Sequence, residues 1–332
     1  MPFHNFKHGV GVMHVSFYLI ACTDAGMCLN AIQAFALIVS ALCHDIDHPG
    51  HTNAFEVNSM SDLALFYNDN AVLENHHCAT ASILLKRQEC NILVGLTKEE
   101  FKELRSVMCS AILATDMSSH FTLLTKFREA VHSNGGWNPE QSSDKLLLLS
   151  ILLHAADLSN PTRNWEHSRI WASLVSQEFN AQVRNEKALE LPFLPFMETL
   201  DEEAQAKQET SFIEFIIEPM WKDVVEFLPQ LQFIHDYIST NKSNWKAISR
   251  RSTPRDSAQS TPHASAKSLA LRSTRGSSSP ISTSGSKQGS SGGEMRSREL
   301  DDDDLSFASG EQDLAGMCVR SHLCARSSGS QR

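Results

Sequence analysis

The chain has 332 residues, 41% of them hydrophobic, with 29 Lys and Arg against 39 Asp and Glu, a formal net charge of −10. The charge is uneven: residues 1–246 hold 17 basic and 30 acidic side chains, whereas the remainder is basic and rich in Ser, Gly, Arg and Gln. An acidic folded part repels polyanions, which excludes nucleic acid and anionic membrane as its partners; if it acts on a phosphate ester, bound cations must supply the positive charge.

In chain order, the N-terminus shows no basic-then-apolar signal segment. His4 and His8 are four residues apart, a spacing that puts both on one face of a helix. Leu29 to Ile46 is apolar nearly all round and reads as a helix at the centre of a bundle. It runs into His44, Asp45, Asp47 and His48, a second histidine pair at helical spacing, and is expected to end at Pro49 and Gly50. Its longest apolar run, Ala31 to Cys43, is too short to span a bilayer. Glu74, Asn75, His76 and His77 follow, then an expected break at Asn134, Gly135 and Gly136. Leu146 to Ala156 forms another apolar helix that delivers His154 and Asp157, and breaks are expected at Asn160-Pro161 and from Leu191 to Pro195. Phe212 to Phe227 reads as a further helix, and apolar residues keep helical spacing to Trp245.

Alternating β-branched runs joined by hairpin turns are missing, so the fold class is all-α, a compact multi-helix bundle. Residues 1–246 are expected to form one globular domain and 247–332 a disordered Ser/Gly/Arg-rich tail, whose acidic run Glu299 to Asp304 is a solvated segment. Eight cysteines (22, 28, 43, 78, 90, 109, 318 and 324) contain no CxxC pair and are expected to be reduced thiols in a soluble, cytoplasmic protein. No lipid-anchor signal surrounds Cys318 and Cys324.

Nitrogen and carboxylate donors without a clustered thiolate suit zinc beside a harder cation such as magnesium or manganese. The pair His4 and His8 alone is a weak signal, because such pairs often make ordinary polar contacts. His44-Asp45 closing an apolar helix is stronger, since two buried ionisable groups there cost several kcal/mol unless a metal or partner compensates. Asp157 makes the same demand. The order His, then His-Asp, then Asp, in an all-helical domain, is the pattern of the HD metal-dependent phosphohydrolases.

The segments HNFKH, HDIDHPG, YNDNAVLENHH, ATDMSSH and HAADLSNP, in this order, resemble the signature segments of the class I cyclic-nucleotide phosphodiesterases over about residues 2 to 230. The resemblance implies hydrolysis of cAMP or cGMP to the 5′-monophosphate. It implies that His8, His44, Asp45 and Asp157 hold the tight metal, usually zinc, and that Asp45 bridges to a second, usually magnesium. His48, Glu74 and Thr115 would then support that ion's waters, and His4 would be the general acid. A hydroxide held between the two cations would attack phosphorus in line while His4 protonates the departing O3′. Glu74 could instead orient or charge the His4 imidazole, and the sequence leaves both roles open.

For the purine pocket the resemblance implies a glutamine three residues before a stacking phenylalanine. Phe212 matches the phenylalanine, but Glu209 occupies the place three before it and Gln208 lies one further back; Gln208 is the preferred reading. Asn160 and Trp171 are further pocket candidates, Asn160 also reading as a helix-ending turn residue. Phe3 stands where the family commonly has tyrosine and Ser168 where some members have a larger residue. His76, His77, Asp116, His120 and His154 lie in matching segments and read equally as hydrogen-bonded structural residues. The family's helices before HNxxH have no counterpart here, so an exposed apolar patch is expected. Two other readings remain: a different HD-type nucleotide phosphohydrolase, and a catalytically degenerate binding or regulatory homologue.

Overall fold

The computed structural model of the chain describes residues 1–132 and 136–251. Among the described residues there is no strand, and the helices in chain order are α1 (Phe6–Ala21), α2 (Ala31–Cys43), α3 (Asn53–Asn58), α4 (Asp62–Tyr67), α5 (Val72–Lys86), α6 (Lys98–Leu113), α7 (His120–His132), α8 (Ser142–Asp157), α9 (Trp165–Ala188), α10 (Glu202–Phe212), α11 (Glu218–Phe227) and α12 (Ile234–Arg251). The all-α bundle is therefore present as expected from the 3.6-residue period of apolar side chains. A π-helical turn, Ile213–Ile217, joins α10 to α11, so the stretch read as one helix from Phe212 is helical throughout but changes its winding.

Polar residues set the helix starts. Asn5 accepts from the amides of Lys7 and His8 at the head of α1. Asn30 with Gln33, and Thr97 with Glu100, form reciprocal capping boxes that start α2 and α6. Gly26 makes a tight turn between α1 and α2 feasible, because a Cβ there would meet the Ile20 carbonyl oxygen at 2.0 Å.

The centre of the bundle is α8, where every residue from Leu148 to Ala156 is buried. Helices α1, α2, α6, α7 and α11 all pack against it. This corrects the expectation for the earlier apolar stretch: α2 leaves Phe35 and Leu42 exposed, and it stops at Cys43 instead of continuing through Ile46. The chain turns there because Asp47 adopts a left-handed conformation (φ 61°) and His44 Nδ1 bonds back to the Ala41 carbonyl. The expected breaks after Asp157 and from Leu191 are present, each followed by a short 3-10 turn.

Large apolar side chains stand exposed on α1 (Phe6, Phe17) and α4 (Leu65, Phe66). Among the described residues no single helix is long and apolar enough to cross a membrane; α6 with the Met117–His132 segment reaches that only as a pair bent by 81°. Cys28, Cys43, Cys78, Cys90 and Cys109 are free thiols. Cys22 corrects the expectation of reduced thiols, being disulfide-bonded; it is partly exposed at the C-cap of α1 and not sealed in the core. Helix α12 continues to Arg251, past the boundary read at 246. The Glu299–Asp304 run, Cys318, Cys324, Asn134 and Gly135 lie outside the described residues.

Candidate metal centre

Three helix ends build the site. His8 lies in the first turn of α1, His44 is the C-cap of α2 with Asp45 next to it, and Asp157 is the last residue of α8. The C-terminal ends of α2 and α8 both present carbonyl dipoles that favour a cation.

One donor atom from each of these four side chains falls within a single cluster no wider than 4.8 Å. His8 Nε2 is 3.1 Å from Asp157 Oδ1, 3.2 Å from His44 Nε2 and 3.2 Å from Asp45 Oδ2. His44 Nε2 is 2.9 Å from Asp45 Oδ2 and 3.2 Å from Asp157 Oδ1. A tetrahedral ion with bonds of about 2.0–2.2 Å sets its ligands roughly 3.3–3.6 Å apart, so this cage needs only a slight expansion to hold one. Two further observations fit a cation. Asp45 Oδ2 is buried and, despite those close nitrogens, lacks a hydrogen bond of good alignment. The His44 Nδ1 contact with the Ala41 carbonyl (2.8 Å) makes Nδ1 the protonated nitrogen and leaves the Nε2 lone pair for a metal. Burial opposes charge on all four groups, yet the carboxylates raise both imidazoles above the ordinary histidine range, and the imidazoles hold both carboxylates low.

A second group shares Asp45: His4, Asp45 and His48 also bring donor atoms within 4.8 Å. The His4 and His48 rings are stacked, centroids 3.7 Å apart. Burial, with His4 beside it, pushes His48 down to about 3 and so keeps it neutral. The i, i+4 reasoning for these pairs is corrected in its geometry: His4 precedes α1, and His44 to His48 lie in the turn after α2. The residues meet because the turn after α2 lies against the segment that precedes α1, His48 stacking on His4.

Glu178, on α9, is the site residue that the sequence did not reveal. Its carboxylate is hydrogen-bonded to His4 Nδ1 and accepts the backbone amides of Phe3 (3.1 Å) and His4 (3.3 Å). Burial works against its charge, but the His4 bonds prevail and bring it down to about 2. Glu74, for which orienting that imidazole is one of the two roles left open, instead accepts from Asn53 Nδ2 (2.9 Å), and burial pushes it up to about 7. Nothing in the sequence around Glu178 distinguishes it from the chain's other glutamates; only its contact across the fold does.

Around the cage, Phe3 packs on His4, His8 and Trp171 at centroid distances of 4.8, 4.7 and 5.6 Å, forming an aromatic wall. His77 Nδ1 bonds the Ile46 carbonyl (2.7 Å) and His76 pairs with Asp47 (2.8 Å), tying α5 to the metal-side turn. Thr115 donates its hydroxyl to the Ile112 carbonyl (2.7 Å) at the end of α6. Asp116 caps the next short turn, and His120 and His154 bond one another at 2.8 Å in the core. Asn160 opens the 3-10 turn just after Asp157; Ser168 is buried on α9. On α10, Gln208 and Phe212 are partly buried and Glu209 is buried, and no hydrogen bond or ion pair joins them to the cage among the described residues.

The sequence profile of the 3′5′-cyclic nucleotide phosphodiesterase family matches residues 3–238. The chain is 36% identical over 245 residues to the 3′,5′-cyclic-nucleotide phosphodiesterase regA of Dictyostelium discoideum, a match covering 74% of this chain and 31% of that protein. It is 35% identical over 231 residues to the high affinity cGMP-specific 3′,5′-cyclic phosphodiesterase 9A of Mus musculus, covering 70% of this chain and 42% of that protein. The chain thus spans less than half the length of these relatives. The phosphodiesterase domain of the RhoPDE fusion protein from the choanoflagellate Salpingoeca rosetta superposes with a TM-score of 0.73 at 42% identity, covering 75% of this chain and 79% of that one. With the sequence segments, the helical bundle and the His/Asp cage in agreement, this chain belongs to the 3′5′-cyclic nucleotide phosphodiesterase family.

Proposed function

We propose that the chain hydrolyses 3′,5′-cyclic nucleotides, cAMP, cGMP or both, to 5′-monophosphates. The observation that carries this reading is the convergence of His8, His44, Asp45 and Asp157 on one point in a chain of this family. Two nitrogens and two carboxylate oxygens suit Zn2+, and a second ion held by Asp45 and otherwise by water would be a harder one, Mg2+ or Mn2+. When bound, such cations neutralise phosphate oxygens and lower the pKa of a coordinated water.

The chain's own residues do the rest. His8, His44 and Asp157 fix the tight site, and Asp45 serves both sites. His4 gives its proton to the departing O3′, with the Glu178 carboxylate holding Nδ1 so that the other ring nitrogen does the donating. His48 supports the His4 ring by stacking, and Glu74 and Thr115 border the second site. Phe3 and Trp171 keep water from one side of the cage.

For the base, Gln208 is the reader and Phe212 the stacking surface, with Asn160 at the mouth. What supports Gln208 is its Oε1, buried without a hydrogen-bond partner and so available to a ligand donor. Gln208→Ala is expected to raise both Michaelis constants severalfold; no change there, with a rise in Glu209→Ala, reassigns the role to Glu209. The five free cysteines among the described residues fit a reducing compartment such as the cytosol, while the Cys22 disulfide counts against it.

The decisive experiment is hydrolysis of cAMP, cGMP and a deoxynucleoside triphosphate by the full chain, with and without chelator. Release of 5′-monophosphate that stops on chelation and returns with added divalent ion is expected. Metal-loaded protein that cleaves neither cyclic nucleotide overturns the reading in favour of a binding module, and cleavage of the triphosphate alone favours another HD-type phosphohydrolase.

A further inference from the structure

Helices α5 and α6 pack together, and the pairing brings two free thiols into contact. Cys78 Sγ donates to the Cys109 carbonyl oxygen at 4.0 Å, though the residues are 31 apart in sequence. One turn along each helix the contact repeats. Arg105 Nη1 donates to Ser82 Oγ at 2.5 Å, and Ser82 Oγ donates to the Cys78 carbonyl at 2.7 Å. This places Cys78 opposite Cys109 and Ser82 opposite Arg105 on antiparallel helices, with a guanidinium one turn from a thiol. Both cysteines are partly exposed, so a small oxidant can reach them. Neither belongs to the metal cage.

We propose that Cys78 and Cys109 form an oxidisable dithiol that closes to a disulfide between α5 and α6 when the protein meets hydrogen peroxide. Cys109 is the first thiol to react. The Cys78 hydrogen bond and, beyond it, the Arg105 charge favour its thiolate against the opposing effect of burial. The Cys109 thiolate attacks one peroxide oxygen: an S–O bond forms, the O–O bond breaks, and hydroxide leaves as water after taking a proton. Cys78 then attacks the sulfenic sulfur: an S–S bond forms, the S–O bond breaks, and the oxygen departs as water with the Cys78 proton. Overall two thiols are oxidised by two electrons and one peroxide is reduced to two waters. Because Glu74, His76 and His77 precede Cys78 on the same helix, the bridge would fix α5 beside the metal-side turn.

The test is peptide mapping of the full chain after brief exposure to hydrogen peroxide at neutral pH, followed by alkylation without reductant. A Cys78–Cys109 linked peptide, reversed by dithiothreitol and formed at least tenfold faster than Cys28 or Cys43 is modified, is expected. Arg105→Met is expected to slow linkage at least threefold, and Cys78→Ser to leave Cys109 as a trappable sulfenic acid. Recovery of both thiols unmodified, or of Cys109 as sulfinic acid without linkage in the wild-type chain, overturns the proposal. None of these readouts depends on hydrolytic activity.

Discussion

His4 and Glu209 are both single ionisable groups whose surroundings set what they can do. His4 is fixed by Glu178, which binds its Nδ1 and two neighbouring backbone amides, so the ring has little freedom to turn. If it is the proton donor, His4→Ala should reduce turnover by about 10²–10⁴-fold while metal content, measured by elemental analysis, stays the same. Loss of metal with that substitution would make it a ligand instead, as its proximity to Asp45 and His48 allows. Glu209 is the opposite case, a buried carboxyl with no compensating cation. Burial alone pushes it up to about 7. Folding therefore retains a proton on Glu209 that the unfolded chain releases near its ordinary value of about 4.3. The native state binds more protons between those values, so stability falls as pH rises from about 4.3 to 7 and the loss is complete above it, on the order of 4 kcal/mol at most. Glu209→Gln should consequently raise the melting temperature at pH 8 and leave it nearly unchanged at pH 4. An equal shift at both pH values would mean that charge is not the cause. The contrast also shows what one-dimensional reading can reach: the donor types in HNFKH and HDIDHPG are informative by themselves, whereas Glu178 acquires its role only from a partner 174 residues away.

At the scale of elements, the apolar stretch Leu146 to Ala156 was readable as a helix, and its all-round burial as α8 follows from that composition. Helix ends were harder. The sequence offers its stop signal only at Pro49 and Gly50; what ends α2 earlier is the His44 bond to the Ala41 carbonyl and the left-handed Asp47. This early stop matters chemically, because a continuing helix would carry Asp45 about 100° round from His44 instead of folding it back on the same cage. The turn after α8 is held in a comparable way from outside. Asn241, 1% exposed on α12, donates from Nδ2 to the carbonyls of Pro161 and Arg163, both at 2.8 Å. Removing that amide takes away the donor that these two carbonyls share. Asn241→Ala should cost about 1–3 kcal/mol, seen as a lower melting temperature, and should loosen the segment that follows Asp157. A melt within error of the unsubstituted chain would show that water replaces the amide there.

Over the whole bundle, the cage closes contacts between side chains as much as 149 residues apart, His8 and Asp157 being the extremes. The family resemblance named the four donors but not their meeting point, which depends on α1 starting where α2 and α8 end. Without a cation, folding must hold two partly buried carboxylates and two buried imidazoles together, with protons on the imidazoles to compensate. A bound ion removes that burden and, binding the folded chain in preference to the unfolded one, stabilises it by mass action, about 4 kcal/mol when free ion exceeds its Kd 1,000-fold. For a unit of this size each kcal/mol shifts the midpoint by roughly 2–4 °C. Chelation should therefore lower the melting temperature by about 8–16 °C, and Asp45→Asn, which weakens both sites, should melt low with or without chelator. If chelation strips the metal and the wild-type melt does not move, the cage is not a folding linchpin, and the ends of α1, α2 and α8 must be held together by the packing around α8 alone.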